Sequence, residues 1–135
     1  MYYVTVNNLV NYGLVKQGDI VVACMDSTAS GAFFGGAIGA AIASSNASRY
    51  IMAVNEKGVS LFDVDKKTGN YLGTCSEFKK EEILKASVGG LFGSFNIILK
   101  TASGSYKFQT KNKFYGYLQK EPVARLKAAF KSGLR

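Results

Sequence analysis

The chain has 135 residues, 47% of them hydrophobic and 19% charged, which is the balance of one folded domain with its own core and excludes a wholly disordered chain. Its formal charge of +8 is unevenly placed: residues 1–99 hold eight Lys/Arg and eight Asp/Glu, whereas residues 100–135 hold nine cations against Glu121 alone. The chain contains no histidine, so the commonest general base and metal ligand is missing, and Cys24 and Cys75 are too few for a disulfide framework.

In chain order, Tyr3 to Val6 has strand propensity, and Asn8 to Gly18 reads as a short helix capped by Asn7 or Asn8 and ended by Gly18, with residues 1–16 forming an N-terminal extension. No Lys or Arg precedes Lys16 and no apolar leader opens the chain, so a cytoplasmic location is expected. Asp19 to Met25 reads as a fully buried strand, the first of a sheet. Both cysteines fall among apolar neighbours in strands and are expected to be buried free thiols.

Residues 27–48 form a Gly/Ala-rich insertion after that strand. Within it, Ala29 to Ala43 carries no charge, and Gly31, Gly35 and Gly39 recur every fourth residue beside a parallel row of Phe34, Ile38 and Ile42. The run is shorter than the roughly 20 apolar residues of a membrane-spanning helix. Three readings stay open: a helix or loop covering one end of the fold, a self-association face, or an apolar wedge for a membrane.

From Arg49 to Gln109 short apolar runs alternate with turn clusters. Tyr50–Val54 and Val59–Val64 flank Asn55-Glu56-Lys57-Gly58 as a hairpin, and Asp65 to Asn70 turns the chain into Tyr71–Cys75. Leu84, Ala86 and Val88 alternate with polar residues, as do Phe95, Ile97 and Leu99, then Tyr106 and Phe108 after the turn Ala102-Ser103-Gly104. Strand follows strand without an intervening helix, so the sheet is expected to be antiparallel.

Residues 111–135 form a basic helical C-terminus. Asn112 is its expected N-cap, with Tyr115, Leu118, Val123, Leu126 and Phe130 as an apolar stripe, a break at Lys120-Glu121, and Pro122 in the first turn of the final helix.

Sequence motifs for chemistry are missing: the cysteines lack CxxC spacing, Gly35-Gly36 is not followed by the Lys and Ser/Thr of a phosphate loop, and Gly89-Gly90 to Gly93 reads as a bulged turn. Asp63/Asp65 and Glu81/Glu82 adjoin lysines and read as solvated surface pairs. No enzyme, cofactor or metal site is expected.

The segment Ser76-Glu77-Phe78-Lys79-Lys80-Glu81-Glu82-Ile83-Leu84-Lys85-Ala86-Ser87-Val88, the hairpin Phe95 to Phe108 and the helix through Val123-Ala124-Arg125-Leu126-Lys127-Ala128-Ala129-Phe130 together resemble bacterial pleckstrin-homology-like (PH/GRAM-type) domains over residues 17 to 131. The resemblance implies an antiparallel barrel or two orthogonal sheets capped by an amphipathic helix, in a non-catalytic module that binds lipid, peptide or itself. No basic residue lies between Lys16 and Arg49, where lipid-binding members carry cations, and Leu126 or Phe130 must fill the place of the family's helix tryptophan. The expected function is therefore a protein-interaction or assembly module, with Gly31, Gly35, Gly39, Phe34 and Ile38 as the contact. The alternative is a weak peripheral membrane module using Lys120, Arg125, Lys127, Lys131 and Arg135 on anionic lipid. Nucleic acid is disfavoured because the aromatics near the charges, Tyr115, Tyr117 and Phe130, are mostly on the stripe assigned to the core.

Overall fold

The computed structural model describes residues 2–27 and 48–132. Gly31, Gly35, Gly39, Phe34, Ile38 and Arg135 lie outside the described residues.

The N-terminus is a helix, α1 (Tyr2–Asn11), and not a strand followed by a helix from Asn8. Tyr2, Thr5 and Leu9 are buried at helical spacing, and that burial outweighs the strand propensity of Tyr3, Val4 and Val6. Gly13, expected inside the helix, ends it. At φ 77 it lets its own N–H reach the Val10 carbonyl at 3.0 Å while Leu14 N–H reaches the Leu9 carbonyl at 3.0 Å, the paired bonds of a Schellman stop.

Among the described residues nine strands follow: β1 (Ile20–Asp26), β2 (Arg49–Asn55), β3 (Gly58–Val64), β4 (Tyr71–Lys79), β5 (Ile83–Leu91), β6 (Ser94–Thr101), β7 (Gly104–Lys111), β8 (Lys113–Phe114) and β9 (Tyr117–Leu118), before helix α2 (Lys120–Lys131). The first seven make one sheet in the order β4-β3-β2-β1-β7-β6-β5, antiparallel at every pairing. The sheet does not close into a barrel: β4 and β5 remain its two edges. The expected hairpins lie within it, and the first turns more tightly than expected, since Asn55 pairs with Gly58 across Glu56-Lys57. The Asp65 turn is locked by its own carboxylate, which accepts from the N–H groups of Lys67 at 2.8 Å and Thr68 at 2.9 Å.

Four further expectations change. Leu84 is 65% exposed while Ile83 is buried. Ile83 pairs with Thr101 and Lys85 with Lys100, so Leu84 is an extra residue that shifts the phase of β5 before Ala86 and Val88. The segment from Asn112 to Leu118 is the β8–β9 hairpin rather than a helix, with Tyr115 and Leu118 exposed, whereas Pro122 sits in the first turn of α2 as expected. Cys75 is exposed on edge strand β4, and only Cys24 is buried. The glycine pair Gly89-Gly90 lies within β5, whose turn into β6 is made by Phe92-Gly93.

The central strands bury both faces. On one, Val22, Cys24, Met52, Val54 and Leu61 pack with Ile97 and Leu99 beneath Val123, Leu126 and Phe130 of α2. On the other, Ala23, Met25, Ile51 and Phe62 lie beneath α1 and the small hairpin, where Tyr2 meets Phe114 and Tyr3 meets Tyr117 edge to face. The first face is strongly concave. Phe78 of β4 and Tyr106 of β7 have three strands between them, a span of about 19 Å in a flat sheet, yet their ring centroids are 5.1 Å apart.

Candidate functional site

Helix α2 covers the end of the concave face where Arg125 approaches Gly18 just before β1. At the far end of β1 the described residues leave a cleft of about 280 Å³. Register places its lining. Asp26 lies opposite Phe108 across β1 and β7, Tyr50 opposite Asp63 across β2 and β3, and Leu61 opposite Ser76 across β3 and β4. Strand alternation then sets Asp26 in phase with core Cys24, and Asp63 in phase with core Leu61.

Phe108 and Leu61 are buried and form the floor, while Tyr50, Phe78 and Tyr106 are half-buried walls. Tyr50 stands perpendicular to Phe108, with centroids 5.8 Å apart. The Asp63 carboxylate accepts from the Thr74 hydroxyl. Burial pushes the Tyr50 phenol above its ordinary range, a hydrogen bond with Ser48 opposes this, and Asp26 and Asp63 add to the rise. The Cys24 thiol below is also raised, by burial first and then by Asp26. Among the described residues no Lys or Arg lines the cleft, whose charged lining residues are Asp26 and Asp63 beside the rings of Tyr50, Phe78, Tyr106 and Phe108.

The expected basic surface is divided. Lys120, Arg125, Lys127 and Lys131 are all exposed on α2. Lys120, Lys127 and Lys131 follow one stripe at i, i+7 and i+11, but Arg125 turns away and its guanidinium lies 3.4 Å from the Gly18 carbonyl. There it lines a second, wider cleft with Lys16, Lys57 and Lys80, tempered by Asp19 and Glu56. Asp19 is already engaged by the Lys16 N–H at 3.0 Å and the Asn55 amide at 3.2 Å.

On the opposite face Arg49 is buried with its guanidinium 4.1 Å from the Tyr115 ring centroid, and its Nε has no hydrogen-bond partner among the described residues. Among the described residues no cluster of three or more His, Cys, Asp or Glu is placed to hold a metal. The open cleft was missed in the sequence because its aromatics read as ordinary strand residues. The available signal was two aspartates in phase with the apolar side of their strands.

No model of a known protein family matches the chain, and no curated protein matches it.

Proposed function

We propose that the chain is a non-catalytic, PH-like interaction module that engages a protein partner at the open end of its curved sheet. One observation carries this reading: α2 covers one end of the concave face, and the other end is left as an aromatic cleft beside β4, an edge strand with no neighbour on its outer side among the described residues. Such an edge offers backbone groups to an extended peptide, and a neighbouring pocket supplies side-chain selection. The strand order, with an amphipathic helix after the last strand, supports the PH-like part of the reading; the unclosed sheet is a departure from it. The non-catalytic part rests on the sequence, which has neither histidine nor a nucleophile motif.

The test is selection of a displayed random-peptide library on the immobilised domain, with Tyr106→Ala as counter-selection. Peptides that bind the wild type and lose affinity for the variant are the expected outcome. A library that yields no peptide discriminating the two sinks the reading.

The stripe of Lys120, Lys127 and Lys131 favours a second reading, weak attachment to an anionic membrane from the cytoplasmic side. Among the described residues no helix is long and apolar enough to cross a membrane. Anionic vesicles should then co-sediment the protein at low salt, release it at physiological salt, and lose it when Lys127 and Lys131 are reversed to Glu. Absence of binding at low salt removes this reading.

A further inference from the structure

We propose that β5 is a self-association edge: two copies of the chain pair antiparallel along it, with the two-fold axis at Val88, and join their main sheets into one. This surface is separate from the cleft beside β4, so neither reading depends on the other.

The two edges of the sheet are unlike. β4 keeps regular register with β3 only from Cys75 to Lys79, is interrupted beside Gly73 at φ 90, and carries Glu77 and Lys79. Bulges and charges of that kind blunt an edge against pairing with its like. β5 runs in regular register along β6 from Lys85 to Leu91, and Lys85 is the one charged residue of that run. Among the described residues no strand pairs with its outer side. Gly89 and Gly90 are exposed in mid-strand, and because glycine has no side chain, what is exposed there is backbone. A Cβ at Gly89 would meet no described atom within 4 Å, and its φ lies outside the left-handed region, so the fold of the single chain does not require glycine at that position. A bare stretch of strand is what the close approach of a second backbone requires.

The edge is also matched to itself. Leu84 is 65% exposed and Phe92 is 101% exposed, and each lies four residues from Val88. Phe92 holds the first central position of a two-residue turn at φ 58, followed by Gly93 at φ 77, where asparagine is the usual occupant. A phenylalanine there costs conformational strain and leaves its ring in water, and at full exposure it recovers neither within the single chain. Antiparallel pairing centred on Val88 sets Phe92 of each copy level with Leu84 of the other, Gly89 opposite Ser87, Gly90 opposite Ala86, and Leu91 opposite Lys85. The exposed apolar residues then cover one another at both ends, and no like charges face across the join. The two Lys85 residues stand about 20 Å apart along the strands, beyond the screening length of about 8 Å at physiological salt. A foreign strand would have to supply this match, whereas a second copy already carries it.

The experiment is sedimentation velocity of the full chain, without lipid or peptide, at concentrations from about 1 µM to about 1 mM. A species approaching twice the chain mass is expected at the upper end. Its association should tighten with added salt, because two chains of charge +8 repel one another, and that is opposite in sign to attachment to an anionic membrane. Phe92→Asn should weaken the dimer about tenfold while raising the melting temperature of the single chain, since asparagine suits the turn. Gly89→Lys should weaken it at least as much by placing a charge in mid-edge, with Leu84→Lys as the second variant should that one not fold. For the register, Leu84→Cys combined with Phe92→Cys in a Cys75→Ser background should cross-link two copies through a short bismaleimide. Each cysteine alone should link poorly, because like positions lie about 27 Å apart along the join.

A chain that stays monomeric throughout overturns the proposal, as does a dimer that Phe92→Asn and Gly89→Lys leave unchanged. Single-cysteine variants that cross-link as readily as the double variant place the axis elsewhere and overturn the pairing at Val88. Tyr106→Ala, on β7, should abolish peptide selection and leave the dimer intact, so the two surfaces fail separately.

Discussion

Gln119 supplies to Ala23 what a neighbouring strand would otherwise give. Its Oε1 accepts the Ala23 N–H at 2.8 Å and its Nε2 donates to the Ala23 carbonyl at 3.0 Å, so one side-chain amide pairs with both backbone groups. The substitution is needed because β1 and β7 pair directly at only two positions, Met25 with Gln109 and Asp26 with Phe108, before they diverge. The Thr110 hydroxyl closes the same gap, donating to the Ala23 carbonyl at 2.7 Å, and Gln119 Nε2 also reaches the Lys111 carbonyl at 2.7 Å. This junction lets the sheet bend without orphaning buried backbone groups.

Gln119→Leu should therefore destabilise the fold by about 2–5 kcal/mol, from at least two backbone groups left unpaired at about 1–3 kcal/mol each. Thr110→Val should cost less, because the Ala23 carbonyl keeps its bond from Gln119. Urea unfolding of the two variants checks the order; a Gln119→Leu variant as stable as the wild type would deny the junction its role.

Phe130 is 5% exposed and packs with Val123 and Leu126 into the concave core. Phe130→Ala should cost about 3–5 kcal/mol. A loss below about 1 kcal/mol in the same measurement would mean that α2 does not plug that end of the sheet.

Two glycines separate backbone strain from steric fit. Gly58 has φ +140, and a Cβ there would lie 2.0 Å from the Phe78 carbonyl oxygen; Gly104 has φ +149 with no described atom within 4 Å. Gly104→Ala should cost about 1–2 kcal/mol for conformation alone, and Gly58→Ala more, because β4 must also move. Amide shifts spreading to Phe78 and Tyr106 are expected only for the Gly58 variant. Equal stability losses would count against the close approach of β4.

Stability should fall in alkali. Burial raises Cys24 from an ordinary 9.0, and raises Tyr2 and Tyr50 from 10.0, while Arg49 opposes the rise at Tyr2. Above those ordinary values the unfolded chain releases protons that the folded chain keeps, so the stabilisation present below pH 9 is lost as pH rises, by up to about 1.4 kcal/mol per pH unit for each such group. The onset should move upward in Cys24→Ala, read from thermal unfolding between pH 7 and pH 11. An onset that does not move would assign the alkaline loss to the phenols.

The sequence by itself determined the antiparallel hairpins and the final helix. Those features are local: period-two alternation, turn chemistry at Asp65 and Gly58, and Pro122 in the first turn of α2 with Val123, Leu126 and Phe130 on one stripe. What the tertiary structure decided is whatever depends on residues far apart in the chain. Tyr3 to Val6 is helical because α1 has the β8–β9 hairpin to pack on, and Asn112 to Leu118 is that hairpin for the reciprocal reason. Leu84 faces outward because one extra residue shifts the phase of β5, which no alternation within β5 discloses. The cleft was the least legible feature, since Phe78 and Tyr106 meet only after the intervening strands have paired and curled. Asp26 and Asp63 come to line one cleft only then, because pairing fixes neighbours across strands whereas sequence alternation fixes only the face.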